Sequence, residues 1–128
     1  MDIEHIALTS NSEEDSDKFF MNLLGLKKSR SFTVSTDKME QFFGVSKEQN
    51  VIRYDNANIS VEIFITDDDS KAKDTFTHSC LLVDNRDELV RRAGEMQFQV
   101  IQVPRTDSDS YYLFIKDNFH NIYEIKEN

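Results

Sequence analysis

The chain has 128 residues, with 24 Asp and Glu against 15 Lys and Arg, for a formal charge of −9. Such a surface repels phosphate backbones, which excludes nucleic acid as a natural partner. No apolar run approaches the ~18 residues of a membrane span, no signal peptide precedes the first strand, and a lone cysteine, Cys80, cannot build an internal disulfide framework. The expectation is a cytoplasmic protein without membrane contact, forming one structural domain built from two halves.

In chain order, Asp2 to Leu8 alternates as a strand, with Ile3, His5 and Ala7 on one face and Glu4, Ile6 and Leu8 on the other. Ser12 and Asp15 mark a helix start. The helix carries Phe19, Phe20, Leu23 and Leu24 as one apolar stripe and ends at Gly25, where a left-handed cap favours glycine. Leu26 to Ser35 reads as a second strand. Asp37 to Phe43 reads as a short helix stopped by Gly44, with Met39, Phe42 and Phe43 as its buried contacts. Asn50 to Tyr54 and Asn58 to Thr66 form a hairpin about an Asp55-Asn56-Ala57 turn. In its second strand Ile59, Val61, Ile63 and Ile65 share a face, so Glu62 lies among apolar neighbours and needs a charge to balance it.

Thr66 to Thr75 (TDDDSKAKDT) is polar and lacks apolar anchors, the pattern of a linker. This places the first unit at 1–66, a linker at 67–75 and the second unit at 76–128. The second unit opens with a strand from Phe76 to Val83 that carries His78. Asn85 and Glu88 follow at capping-box spacing, each side chain set to satisfy the other's backbone N–H. A helix from Arg86 to Ala93 closes at Gly94, with strands at Phe98 to Val103, Tyr111 to Lys116 and Asn121 to Lys126 after it. Glu124 sits between Tyr123 and Ile125. Cys80 reads as a small buried side chain, and His120 as an exposed turn residue.

Each half therefore reads strand, helix, three strands. His5 and His78 occupy equivalent first strands, and Glu62 and Glu124 equivalent last strands. Two neutral imidazoles and two carboxylates suit a divalent cation of intermediate hardness, because the two charges cancel its own. With six ligands in all, two adjacent positions remain for a small substrate bearing oxygens on neighbouring carbons.

Taken in order, HIAL at His5, FFMNLLGL ending at Leu26, VEIFI around Glu62, HSCLLVDNRDEL from His78 and FIKDNFHNIYEI with its Glu124 resemble the vicinal oxygen chelate superfamily. That family includes glyoxalase I, fosfomycin-resistance transferases, extradiol dioxygenases and metal-free bleomycin-resistance proteins. The resemblance implies an α+β fold of two βαβββ modules forming a cup-shaped, barrel-like mixed sheet, and a homodimer. It also implies that His5, Glu62, His78 and Glu124 bind one divalent metal ion (Ni, Zn, Co, Mn or Fe), the set of bacterial-type glyoxalase I. The implied activity is a lyase or isomerase type of proton transfer next to a carbonyl, with Glu124 as the base and Glu62 second. The turn from Asp117 to Asn121 departs from the family's pattern by lacking proline and glycine, and the Pro104 to Ser110 loop has no glycine either. Two alternatives share this fold: a metal-free ligand-binding or antibiotic-resistance protein, and a non-haem iron dioxygenase that uses His5, His78 and Glu124.

Overall fold

The computed structural model describes residues Met1–Asn128, which divide into two compact units, Met1–Ser70 and Lys71–Asn128. Each contains one four-stranded mixed sheet, and no strand pairing closes the two sheets into a barrel.

In the first unit the strands are β1 (Ile6–Ser10), β2 (Lys27–Val34), β3 (Gln49–Asp55) and β4 (Ser60–Ile65), in spatial order β1-β4-β3-β2. β1 runs parallel to β4, and the other neighbours are antiparallel. The parallel pair requires a crossover, supplied by α1 (Glu13–Ser16) and the π-helical segment Asp17–Leu23 that continues it. Ser12 caps α1 by accepting from the Asp15 N–H at 3.1 Å. The π turn, with Leu24 N–H on the Phe19 carbonyl at 3.0 Å, departs from the uniform helix expected over this stretch. It turns Phe19, Phe20 and Leu23 inward together, all three buried.

Their counterpart is the sheet face made by Ile52, Tyr54, Val61, Ile63 and Ile65, also buried. Phe20 stacks on Tyr54 at 5.4 Å between ring centroids, and the Tyr54 hydroxyl donates to Asp17 at 2.6 Å. Gly25 ends the segment in the left-handed region, φ 74°.

The opposite sheet face carries α2 (Thr36–Phe43), capped by Ser35 and closed by Gly44 at φ 70°. The sequence pattern buries Met39, Phe42 and Phe43 alike. In the structure only Met39 is buried, whereas Phe42 and Phe43 stand 63% and 57% exposed. Eight residues of helix offer a single narrow stripe to the sheet: Met39 fills it, and Phe43, one turn on, meets the Phe64 ring edge-on at 5.6 Å while most of its surface stays open at the helix end.

The second unit repeats the topology. Its strands β5 (His78–Val83), β6 (Gln99–Pro104), β7 (Tyr111–Lys116) and β8 (Ile122–Glu127) lie in the order β5-β8-β7-β6, with β5 and β8 parallel. α3 (Arg86–Glu95) crosses over, placing Leu89 and Ala93 in the core with Leu113, Ile115, Tyr123 and Ile125. Half of the expected capping box forms. Asn85 accepts from the Glu88 N–H at 2.9 Å, while the Glu88 carboxylate turns away to Arg91. Gly94 does not close the helix; it lies in the last turn, and Gln97 takes the left-handed position at φ 65°.

The β7–β8 turn survives without proline or glycine because Asp117 is buried inside it. Its carboxylate accepts from the N–H groups of Phe119 and Asn121, both at 3.0 Å, and from the Tyr123 hydroxyl at 2.9 Å. Burial pushes the Asp117 carboxyl up, and these hydrogen bonds oppose that rise.

Candidate functional site

His5 lies one residue before β1, so the strand starts later than the alternation from Asp2 suggests. Its parity matches Ala7, which pairs with Glu62 across the parallel register, so His5 and Glu62 share the sheet face opposite the crossover helix. His5 Nε2 stands 3.3 Å from Glu62 Oε2. The other ring nitrogen, Nδ1, is bonded to the Glu4 carboxylate. Arg53 ties these groups together: its guanidinium pairs with Glu4, reaches Glu62 Oε1 at 3.4 Å and lies 3.7 Å from Asp55. The Arg53 hydrogen bond, then that of His5, holds the Glu4 carboxyl down at about 2, below the usual carboxylate range.

Arg53 sits directly opposite Glu62 in the antiparallel β3–β4 register. It is the balancing charge that the setting of Glu62 demands. Sequence reasoning missed Glu4 and the pairing of Arg53 with Glu4 and Glu62. The signal for Arg53 was present in the hairpin register, where opposite charges face each other; Glu4 has no comparable signal.

In the second unit His78 opens β5 and Glu124 lies in β8, on the same face as Cys80, its register partner. His78 Nε2 stands 3.5 Å from Glu124 Oε2, and Nδ1 is 2.8 Å from the Phe76 carbonyl oxygen. Lys126 Nζ is 3.8 Å from Glu124 Oε1, and the Phe114 ring meets the His78 ring edge-on at 5.9 Å. Cys80 is exposed, contrary to the expectation of a buried thiol, because it faces away from α3. His120, at φ 69°, is an exposed turn residue as expected.

Both histidines have the same protonation logic. A carboxylate or a carbonyl oxygen can only accept, so Nδ1 carries the hydrogen in each ring and a neutral ring presents its Nε2 lone pair to a carboxylate. Lone pair and carboxylate repel unless a cation sits between them, either a proton on Nε2 or a metal ion. Two donors about 2.1 Å from a common ion, at right angles, stand about 3.0 Å apart. The observed 3.3 and 3.5 Å lie close to that separation. The donor chemistry of each pair therefore fits a divalent ion. The structure shows no group of three or more His, Cys, Asp or Glu side chains that could hold a metal ion; it brings His5 to Glu62 and His78 to Glu124 as two separate pairs.

Arg30 lies 4.5 Å over the Phe32 ring and Arg105 lies 4.0 Å over the Tyr112 ring. Asp68, in the linker stretch, accepts from the Ser70 N–H at 3.0 Å and shapes a local turn. No helix is long and apolar enough to cross a membrane.

The profile described as Glyoxalase/Bleomycin resistance protein/Dioxygenase superfamily matches residues 4–114. Among solved structures, the fosfomycin resistance protein FosX from Listeria monocytogenes aligns with a TM-score of 0.73 at 14% identity, covering 100% of this chain and 93% of that one. A glyoxalase family protein from Enterococcus faecalis aligns with a TM-score of 0.71 at 15% identity, covering 97% of this chain and 95% of that one. A FosX variant from Listeria monocytogenes, complexed with Mn(II) and 1S,2S-dihydroxypropylphosphonic acid, aligns with a TM-score of 0.70 at 15% identity over 97% of this chain and 87% of that one. At these identities the likeness is one of fold. A search of curated proteins finds no match.

Proposed function

Because the chain belongs to the glyoxalase/bleomycin resistance protein/dioxygenase superfamily, we propose that it is a metal-dependent enzyme of the glyoxalase type. It moves a proton between adjacent carbons of a small substrate with vicinal oxygens. His5, Glu62, His78 and Glu124 are the residues that hold one divalent ion, for which Ni, Zn, Co, Mn and Fe are the candidates. The observation that carries this reading is the repeated pair: in each unit an imidazole with its Nδ1 hydrogen already committed turns its Nε2 toward a glutamate. The Mn(II) in the FosX complex supports the choice of a divalent ion.

When bound, such an ion supplies a positive charge beside the carbonyl oxygen, where negative charge develops as the neighbouring proton leaves. The protein supplies the base. Besides its histidine, Glu62 meets Arg53 at 3.4 Å and has a side chain 16% exposed, whereas Glu124 meets the more flexible Lys126 at 3.8 Å and is 22% exposed. A base that takes a proton from one carbon and returns it to the next must swing between them, and the less restrained Glu124 suits that task. Glu62, fixed by Arg53, suits a steady ligand and stands second as the base. Glu4 and the Phe76 carbonyl orient the two rings.

The protein acts in the cytoplasm as a homodimer, with two complete sites per dimer. A second reading keeps the fold but makes it a metal-free binding protein. It is favoured by the same His–Glu pairs, which close as ion pairs if each Nε2 takes a proton. The deciding experiment is turnover of hemithioacetals and other vicinal-oxygen substrates before and after chelation. Activity that chelation abolishes and a divalent ion restores supports the enzyme. Full activity in demonstrably metal-free protein refutes the metal-dependent reading.

A further inference from the structure

Strand β2 breaks its register once. Lys28 pairs with Tyr54 and Arg30 with Arg53, so Ser29 is an extra residue between them, a β-bulge. In a regular strand Lys28 and Arg30 would share a face; the inserted residue sends everything after it to the other one. The side chains follow that change. Lys28 reaches the crossover segment, with Nζ 2.6 Å from Glu13 and 2.9 Å from Asp17. Arg30 lies on the opposite face with Arg53, its guanidinium 4.5 Å over the Phe32 ring. The Ser29 hydroxyl fixes the bulge, at 2.7 Å from the Asp55 carboxylate and 3.4 Å from the Arg53 carbonyl oxygen.

The bulge thereby brings Arg30 into line with the His5–Glu62 pair. Across the sheet the register runs Ala7, Glu62, Arg53, Arg30, all on the face that His5 shares. Two strand spacings put the Arg30 backbone roughly 10 Å from that of Glu62. Arginines directly opposite each other repel. Arg53 has its charge answered by Glu4, Glu62 and Asp55. The Arg30 guanidinium has only the Phe32 ring, and the residue is exposed. A ring beneath a guanidinium holds its plane and leaves its N–H fork open, so little freedom is lost when an oxyanion pairs with it.

We propose that Arg30 is a specificity-determining residue, aimed by the Ser29 bulge, that selects substrates carrying a carboxylate or similar oxyanion at the end remote from the chelating oxygens. The inference rests on the metal-dependent reading and adds a second point of recognition to it. The chelating oxygens sit at the His5–Glu62 pair and the oxyanion at Arg30, with Arg53 between them already engaged. An oxyanion there also relieves the repulsion between the two arginines.

The test is isothermal titration of Mn(II)-loaded protein with octanedioic acid monohydroxamate and with its methyl ester, which share a chelating head and a chain and differ in the terminal charge. The parent should bind the carboxylate more tightly than the ester. In Arg30→Gln that preference should fall by about 5-fold, the size of one exposed ion pair. Arg30 is exposed, so its replacement leaves the fold intact. A parent that binds the ester at least as tightly, or a preference unchanged in Arg30→Gln, overturns the proposal. If Mn(II) does not bind at all, the metal-dependent reading fails, and glutarate titrated into chelated protein reads Arg30 separately. A shift of the Arg30 Nε–Hε resonance supports an oxyanion site there, and no shift overturns it.

Discussion

His5 Nε2 lies 3.3 Å from Glu62 Oε2, one carboxylate oxygen of a residue whose other oxygen faces an arginine. An imidazole and a carboxylate so placed form a two-donor clamp, and the second unit holds its equivalent at 3.5 Å. If both clamps hold one ion, His5→Ala and His78→Ala should each weaken binding of Mn(II) or Zn(II). The loss should exceed the ~10–100-fold typical of removing an outer-shell partner. Titration calorimetry of each variant checks this, and a variant with wild-type affinity would remove that histidine from the site.

Glu4 tests the orienting role. Its carboxylate fixes the Nδ1 hydrogen of His5 and is itself fixed by Arg53. Glu4→Gln should reduce metal affinity by ~10–100-fold while leaving the fold intact. A ¹⁵N spectrum of the imidazole should show a mixture of tautomers where the parent shows one. An unaltered spectrum would mean that Glu4 does not set the tautomer.

The two glutamates should separate kinetically. Glu124→Gln keeps an oxygen donor but removes the base, so turnover should fall by on the order of 10²–10⁴-fold. Glu62→Gln should chiefly weaken metal binding. Turnover at saturating metal distinguishes them, and the reverse pattern would exchange the two roles.

Much of this was legible in the residues themselves. Period-two alternation gave Val61, Ile63 and Ile65 one buried face, and Gly25 and Gly44 do close their segments in the left-handed region. What was not legible depends on contacts between distant parts of the chain. Gly94 looked like a cap, but the helix runs past it because Gln97 accepts the left-handed conformation. Phe42 and Phe43 looked like core because apolar composition does not say how much of a short helix the sheet covers; Phe43 touches Phe64 and is still 57% exposed. The engagement of Arg53 with Glu4 and Glu62 became visible only with the strand register and the approach of the N-terminal segment.

Gln97 offers a stability test free of the site. A left-handed residue with a Cβ costs about 1 kcal/mol relative to glycine. Gln97→Gly should therefore stabilise the second unit by about 0.5–1 kcal/mol in urea denaturation. A destabilisation would show that the Gln97 side chain makes a compensating contact.

The linker carboxylates set an acid limit. Hydrogen bonds from the Ser70 and Thr66 side chains hold Asp68 down at about 2, and those from Thr77 and Phe76 hold Asp74 below its usual value. Since both folded values lie below the unfolded one, their stabilising contribution is complete above about pH 4 and fades as the pH falls through the folded values. A carboxyl ¹³C titration should place the Asp68 midpoint near 2. A midpoint at the ordinary aspartate value would mean that the Ser70 turn is not formed in solution.

The four-residue metal site is tested most directly by elemental analysis of protein purified without added chelator, run in parallel on a His5→Ala, His78→Ala double variant. The expected result is one divalent ion per chain in the parent and none in the double variant. A parent chain that carries no metal and takes up none from Mn(II), Zn(II) or Ni(II), or a double variant that still holds a full equivalent, would contradict it.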